Sequence, residues 1–144
     1  MKIPENIKAT MNAALAHRRI ALATASKECL PNVVPIGSCY AIGDDILVLV
    51  DNYFLKTRKN MEANPWVSIS FWDTDESSGK PITTAGFQMK GKAISIETSG
   101  QLYEETKAKI KAIRADSPVK AIMRVKIEEI FDVKAGPNAG KKVA

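Results

Sequence analysis

A chain of 144 residues suits one domain, and a domain of that size buries roughly 70% of its unfolded surface without disulfides or metals to staple it. The formal net charge of +5 favours an anionic partner without naming one, and no apolar run approaches the roughly 18–20 residues that cross a bilayer. Pro4, Glu5 and Asn6 stand where an exported chain carries a charged and then apolar leader, which makes the cytoplasm the default location.

Ile3, Ile7, Met11, Ala14 and Leu15 recur at helical spacing and predict an amphipathic helix over 4–16, with Pro4 tolerated in its first turn. A strand is expected over 20–24, then a turn at Ser26-Lys27-Glu28, then a second extended stretch over 30–40. That stretch contains Pro31 and Pro35, which remove ladder donors, so it belongs at a sheet edge or breaks near Pro35-Ile36-Gly37-Ser38. Gly43-Asp44-Asp45 turns the chain back, as an antiparallel meander, into Ile46-Leu47-Val48-Leu49-Val50. This short apolar run, rich in β-branched residues, reads as a strand covered on both faces and the centre of the core.

A short basic helix is expected over 56–64, stopped by Pro65, and then Val67, Ile69 and Phe71 alternate as one face of a strand. Residues 73–81 shift to Asp, Glu, Ser, Gly and Lys, a surface loop. A long strand over 83–97 carries Gly86 and Gly91, either of them a bulge or a point of close backbone approach. Gly100 precedes a second amphipathic helix with Leu102, Thr106, Ile110 and Ile113 on one stripe and Lys107, Lys109, Lys111 and Arg114 on its surface; Ser117-Pro118 ends it. A last strand over 119–133 slips phase near Glu128-Glu129. The single domain spans 1–135, and Gly136-Pro137-Asn138-Ala139-Gly140 opens a flexible tail over 136–144. Six antiparallel strands with two or three peripheral helices and no βαβ alternation make a small barrel, all-β or α+β.

Several chemistries are poorly served. His17, the only histidine, falls at a helix end, so a Ser-His-Asp triad could form only through that one residue and a His-based metal site is poorly supplied. Cys29 and Cys39 form neither a Cys-x-x-Cys pair nor a disulfide framework and read as reduced and structural. There is no Gly-rich dinucleotide fingerprint and no P-loop. A basic surface with few aromatics is weak ground for nucleic acid. What remains is Lys56-Thr57, delivered by a strand to a helix start where backbone N–H groups and the dipole favour an anion. Lys56 offers an ammonium, Thr57 a hydroxyl, and Arg58 or Lys59 a second cation. Spacing alone favours a solvated basic turn over an anion site.

Taken together, Pro31-Asn32-Val33-Val34-Pro35-Ile36-Gly37-Ser38, Asp51-Asn52, Lys56-Thr57-x-x-Asn60, Asn64-Pro65-x-Val67-Ser68 and Gly86-Phe87-x-x-x-Gly91-x-Ala93 resemble the flavin-binding split-barrel family. That family includes the pyridoxamine 5′-phosphate oxidase-like flavoproteins and small FMN-binding proteins. The resemblance, over about residues 20–97, implies a homodimer with FMN near the dimer interface. It assigns Lys56 and Thr57 to the FMN phosphate with Asn60 behind them. Pro35, Ile36, Gly37 and Ser38 would border the isoalloxazine ring, where N–H groups stabilise charge on the reduced flavin. Val50, Asp51 and Asn52 would run beside the flavin and ribityl chain, and Gly86 would pass close to the cofactor, from the same or the partner subunit. Trp66 and Trp72 are either core or cover for a ring across the interface.

True pyridoxamine phosphate oxidases take their substrate with a C-terminal Arg and His, and this chain has no histidine after His17. The expected activity is therefore hydride or electron transfer by FMN between a small-molecule donor and a small acceptor other than pyridoxamine phosphate, with no side chain assigned an acid–base role. The alternatives are a flavin carrier or sensor, a split barrel binding haem or a deazaflavin, and a cofactor-free basic adaptor.

Overall fold

The computed structural model describes all 144 residues. Three helices, α1 (Glu5–Ala16), α2 (Lys56–Ala63) and α3 (Gln101–Ile113), accompany seven strands. The strands are β1 (Ile20–Ala25), β2 (Pro31–Pro35), β3 (Cys39–Ile42), β4 (Ile46–Asp51), β5 (Trp66–Asp75), β6 (Ile82–Glu97) and β7 (Ala121–Asp132). They form one antiparallel sheet in the order β2-β1-β5-β6-β7-β4-β3.

The seventh strand comes from the proline-bearing stretch. Pro35 ends β2, and the residues after it turn away to start β3 on the opposite edge of the sheet. The expected meander is thus two hairpins, β1–β2 and β3–β4, at opposite edges. Only Ile36, Gly37 and Ser38 join those edges, a link that spans about 14 Å at most. The sheet must therefore curl until its edges meet at this seam. Ile36 N–H donates to the Ile20 carbonyl at 3.2 Å and Val50 N–H to the Ser38 carbonyl at 3.3 Å. Away from the link no ladder joins β2 to β3, so the barrel is split on that side.

Strand β4 is buried along nearly its whole length because it has a core on each face. Leu47 and Leu49 point into the main cluster with Leu22, Ile69, Phe71, Met89 and Met123. Val48 and Val50 point outward into a smaller cluster with Tyr103, Val119 and Ile122, under α3. Helix α1 buries Ile7, Met11 and Ala14 against the barrel, chiefly on β5. On α3 the expected Leu102, Thr106 and Ile110 face the core and Tyr103 joins them, while Ile113 is 77% exposed.

Gly91 is a point of close approach and sits at a bulge. A Cβ there would overlap the Lys126 carbonyl oxygen, and the register shifts between Lys90 and Gly91 as Glu128 is skipped on β7. That bulge is the phase slip expected near Glu128-Glu129. Residues 136–144 fold back along β7, with Phe131 bridging Lys142 and Ile130 N–H donating to the Ala144 carbonyl at 2.7 Å. No helix is long and apolar enough to cross a membrane.

Candidate functional site

A cleft of about 500 Å³ opens at the split, within the usual range for small-molecule and cofactor sites. Its walls are Asn32 and Val34 of β2, the seam Pro35 to Ser38, Val50 and Asn52 at the end of β4, residues 53–57, and Arg114, Asp116 and Ser117 after α3.

One end of the cleft is an anion cradle. Helix α2 begins at Lys56 with no side-chain cap, so its first backbone N–H groups lack intrahelical acceptors. Lys56 is exposed and makes no ion pair, leaving its ammonium free. Thr57 is only 2% exposed, and its hydroxyl oxygen accepts from Asn32 Nδ2 at 3.1 Å. With that acceptor position taken, the Thr57 proton is available to donate into the cleft. Behind it, the Thr24 hydroxyl accepts from Asn60 Nδ2 at 3.0 Å and from Asn32 Nδ2 at 3.4 Å, a chain of side chains that ties β1 and β2 to α2.

At the seam, neither the Gly37 N–H nor the Ser38 N–H has a protein acceptor, so two adjacent donors stay unpaired beside the apolar Val34 and Ile36. An unpaired donor pair next to apolar surface suits a flat ring system with polar edges.

Of the residues expected at a cofactor, Pro35, Ile36, Gly37, Ser38, Val50, Asn52, Lys56 and Thr57 line one cleft. Three do not. Asp51 is 1% exposed and turned inward, its Oδ1 accepting from Phe54 N–H at 2.9 Å and its Oδ2 from Arg58 at 3.0 Å. It fixes the turn that launches α2. Asn60 reaches the cleft only through Thr24 and Asn32. Gly86 is buried against the backbone of Lys134 and the Trp72 side chain, with its carbonyl accepting from Val133 N–H, and does not reach the cleft of its own chain. Trp66 and Trp72 are not core either, being 45% and 38% exposed, and Lys92 lies over the Trp66 ring.

The second cation also changes. Arg58 is committed to Asp51 and to Glu62 at 2.8 Å. Burial works against its charge, but hydrogen bonds to both carboxylates outweigh that and hold its pKa above the ordinary range. Arg114, which reads in the sequence as surface decoration on α3, is the arginine that lines the cleft. It gets there because Asn52 Oδ1 accepts from Ser117 Oγ at 2.9 Å and from Val119 N–H at 3.1 Å, pinning the α3–β7 connection to the end of β4. Val119 is held at a φ of 41°, rare for a β-branched residue, with its carbonyl accepting from Tyr103. The two Asn52 contacts cross more than sixty positions, and no local pattern signals them.

The family model for pyridoxamine 5′-phosphate oxidase matches residues 3–134. The chain belongs to the pyridoxamine 5′-phosphate oxidase family. An uncharacterized relative from Methanocaldococcus jannaschii is 30% identical over 132 residues, covering 90% of this chain and 83% of the relative. Among solved structures, HupZ of Group A Streptococcus superposes with a TM-score of 0.74 at 29% identity, covering 96% of this chain and 99% of HupZ. An FMN-binding protein from Syntrophomonas wolfei gives a TM-score of 0.74 at 17% identity over 90% of this chain and 87% of that one. The heme storage protein HutZ of Vibrio cholerae gives 0.63 at 19% identity over 92% and 95%. The last two likenesses are of fold, and the pyridoxamine 5′-phosphate oxidase family fold accordingly hosts more than one prosthetic group.

Proposed function

We propose that this protein binds FMN in the cleft at the barrel split and uses it to pass hydride or electrons from a reduced small-molecule donor to a small acceptor. The single observation that carries the reading is the cradle at the start of α2. A phosphomonoester needs charge neutralisation and several donors, and Lys56, the oriented Thr57 hydroxyl and the uncapped N–H groups supply them at one end of a cleft. FMN, when bound, supplies the redox chemistry. The chain's own residues bind and orient it: the Gly37 and Ser38 N–H groups would donate to the polar edge of the ring, and Val34 and Ile36 would exclude water from its face.

The reading includes a homodimer in the cytoplasm. Val33, Tyr53 and Leu55 are 67%, 79% and 83% exposed on elements that frame the cleft, and a second copy seated there would complete its open side. A reading with haem in the same cleft is favoured by the likeness to HutZ. Against it, no histidine lines the cleft, and His17 sits near Asp73 and Arg19, outside it. The test is the visible spectrum of the purified, untagged protein, with chromatography of whatever heat releases. Released FMN, and reduction of the bound flavin by a donor faster than that of free FMN, would support the oxidoreductase. FMN that no donor reduces faster than in solution would favour a carrier, and failure to bind added FMN would remove the flavoprotein reading.

A further inference from the structure

A second cavity of about 280 Å³ lies on the far side of the seam, between the C-terminal ends of α1 and α3. It shares Gly37, Ser38 and Arg114 with the first cleft, so the two are neighbours across a strip of bare backbone. Its apolar surface comes from Leu15, Tyr40, Ile110 and Ile113. Ile113 stands 77% exposed at its rim, which a helix facing only water would not require. Three cations surround this surface: Arg18, Lys109 and Arg114. None of them is within ion-pair distance of a carboxylate, although most other arginines of the chain are paired. Lys109 lies over the Tyr40 ring, 4.4 Å from its centroid.

Arg18 is held there by an unusual backbone. Helix α1 ends with Arg19 N–H donating to the Ala14 carbonyl at 2.8 Å and Arg18 N–H to the Leu15 carbonyl at 3.2 Å, with Arg18 at a φ of 59°. This is the double-bonded helix stop whose left-handed position ordinarily falls to glycine. An arginine is strained there, and its guanidinium lies over Gly37, whose carbonyl accepts from Nη1 at 3.4 Å. A Cβ at residue 37 would stand 2.5 Å from that nitrogen, so the absence of a side chain gives the guanidinium its seat.

We propose that this cavity is a second binding site, for a small organic anion with a flat apolar body, such as an aromatic carboxylate. The apolar floor takes the ring, and Arg18 and Lys109, which do not line the first cleft, take the carboxylate whatever that cleft holds. The probe is 2-naphthoate, titrated calorimetrically into the full-length protein with and without saturating FMN, against neutral 2-naphthamide as control. Naphthoate is expected to bind at least tenfold more tightly than the amide in both preparations. Lys109→Glu should weaken naphthoate at least tenfold and leave the amide unchanged. Arg18→Gly should also weaken it, while its melting temperature holds or rises because glycine relieves the left-handed strain. FMN affinity, measured separately, should be unchanged in Lys109→Glu; loss of FMN binding by the wild type would remove the flavin reading and leave this site standing. Equal affinity for acid and amide, or naphthoate binding that survives both substitutions, would overturn the proposal.

Discussion

Thr57 shows how one buried hydroxyl is set for a task by its neighbours. The Asn32 amide donates to it, so its own proton is directed elsewhere. A charge-assisted hydrogen bond contributes about 1.5–3 kcal/mol, so Thr57→Val should weaken FMN binding by roughly tenfold or more. Flavin fluorescence quenching measures this directly, and unchanged affinity would detach Thr57 from the phosphate. The two cysteines make a contrasting pair. Burial pushes the Cys39 thiol up to about 12 from 9.0, while Cys29 is exposed in a turn. A thiol reagent should therefore label one cysteine in the native protein and two after denaturation. The sign for stability follows: below pH 9 both folded and unfolded thiols stay protonated, and between 9 and about 12 only the unfolded one ionises. Cys39 thus favours unfolding progressively as pH rises through that window, and the Cys39→Ala variant should show a shallower alkaline loss of stability. Lys56 and Thr57 at a helix start and the strand break at Pro35 to Ser38 were legible in the sequence because they are local features, and the structure brings them to one cleft. Arg58 and Asp51 were not, since nothing in their spacing says that they neutralise one another instead of facing the cleft.

Elements are fixed here by a few long-range contacts. Asn52 accepts two hydrogen bonds from the α3–β7 connection, so Asn52→Ala leaves the buried Ser117 hydroxyl and the Val119 N–H without that partner. The expected cost is about 1–3 kcal/mol in denaturant unfolding, with FMN affinity falling as the wall carrying Arg114 loosens. Gly91→Ala should cost more than about 2 kcal/mol because the intruding methyl meets the backbone of β7, which cannot move without breaking the β6–β7 ladder. Urea titration checks both, and an unperturbed Gly91→Ala would mean that the bulge is not needed. Helix and strand periods located most elements, since Val67, Ile69 and Phe71 face the core and α2 starts at Lys56 as expected. On α3 the expected Leu102, Thr106 and Ile110 do face the core, but Ile113 does not, and Tyr103, which bonds the Val119 carbonyl, joins them through a contact that periodicity does not encode.

At the scale of the molecule, the prolines of β2 decide the architecture. Pro31 begins that strand and Pro35 ends it, leaving three residues to join opposite edges of the sheet, which closes the barrel at one seam and opens it beside the seam. The uncapped start of α2 and the unpaired Gly37 and Ser38 donors both line that opening, so the fold itself sets the distance between these two groups of donors. Sequence revealed the break but not that its halves would lie at opposite edges, because strand order depends on pairings between residues far apart in the chain. The measurement that tests the central claim most directly is a pair of titrations, FMN against riboflavin, on the wild type and Lys56→Ala. The two ligands share a ring and differ in the phosphate. A phosphate cradle predicts that the wild type prefers FMN by at least tenfold and that Lys56→Ala loses most of the preference with little change for riboflavin. Equal binding of the two flavins by the wild type, or a preference that survives Lys56→Ala, would contradict it.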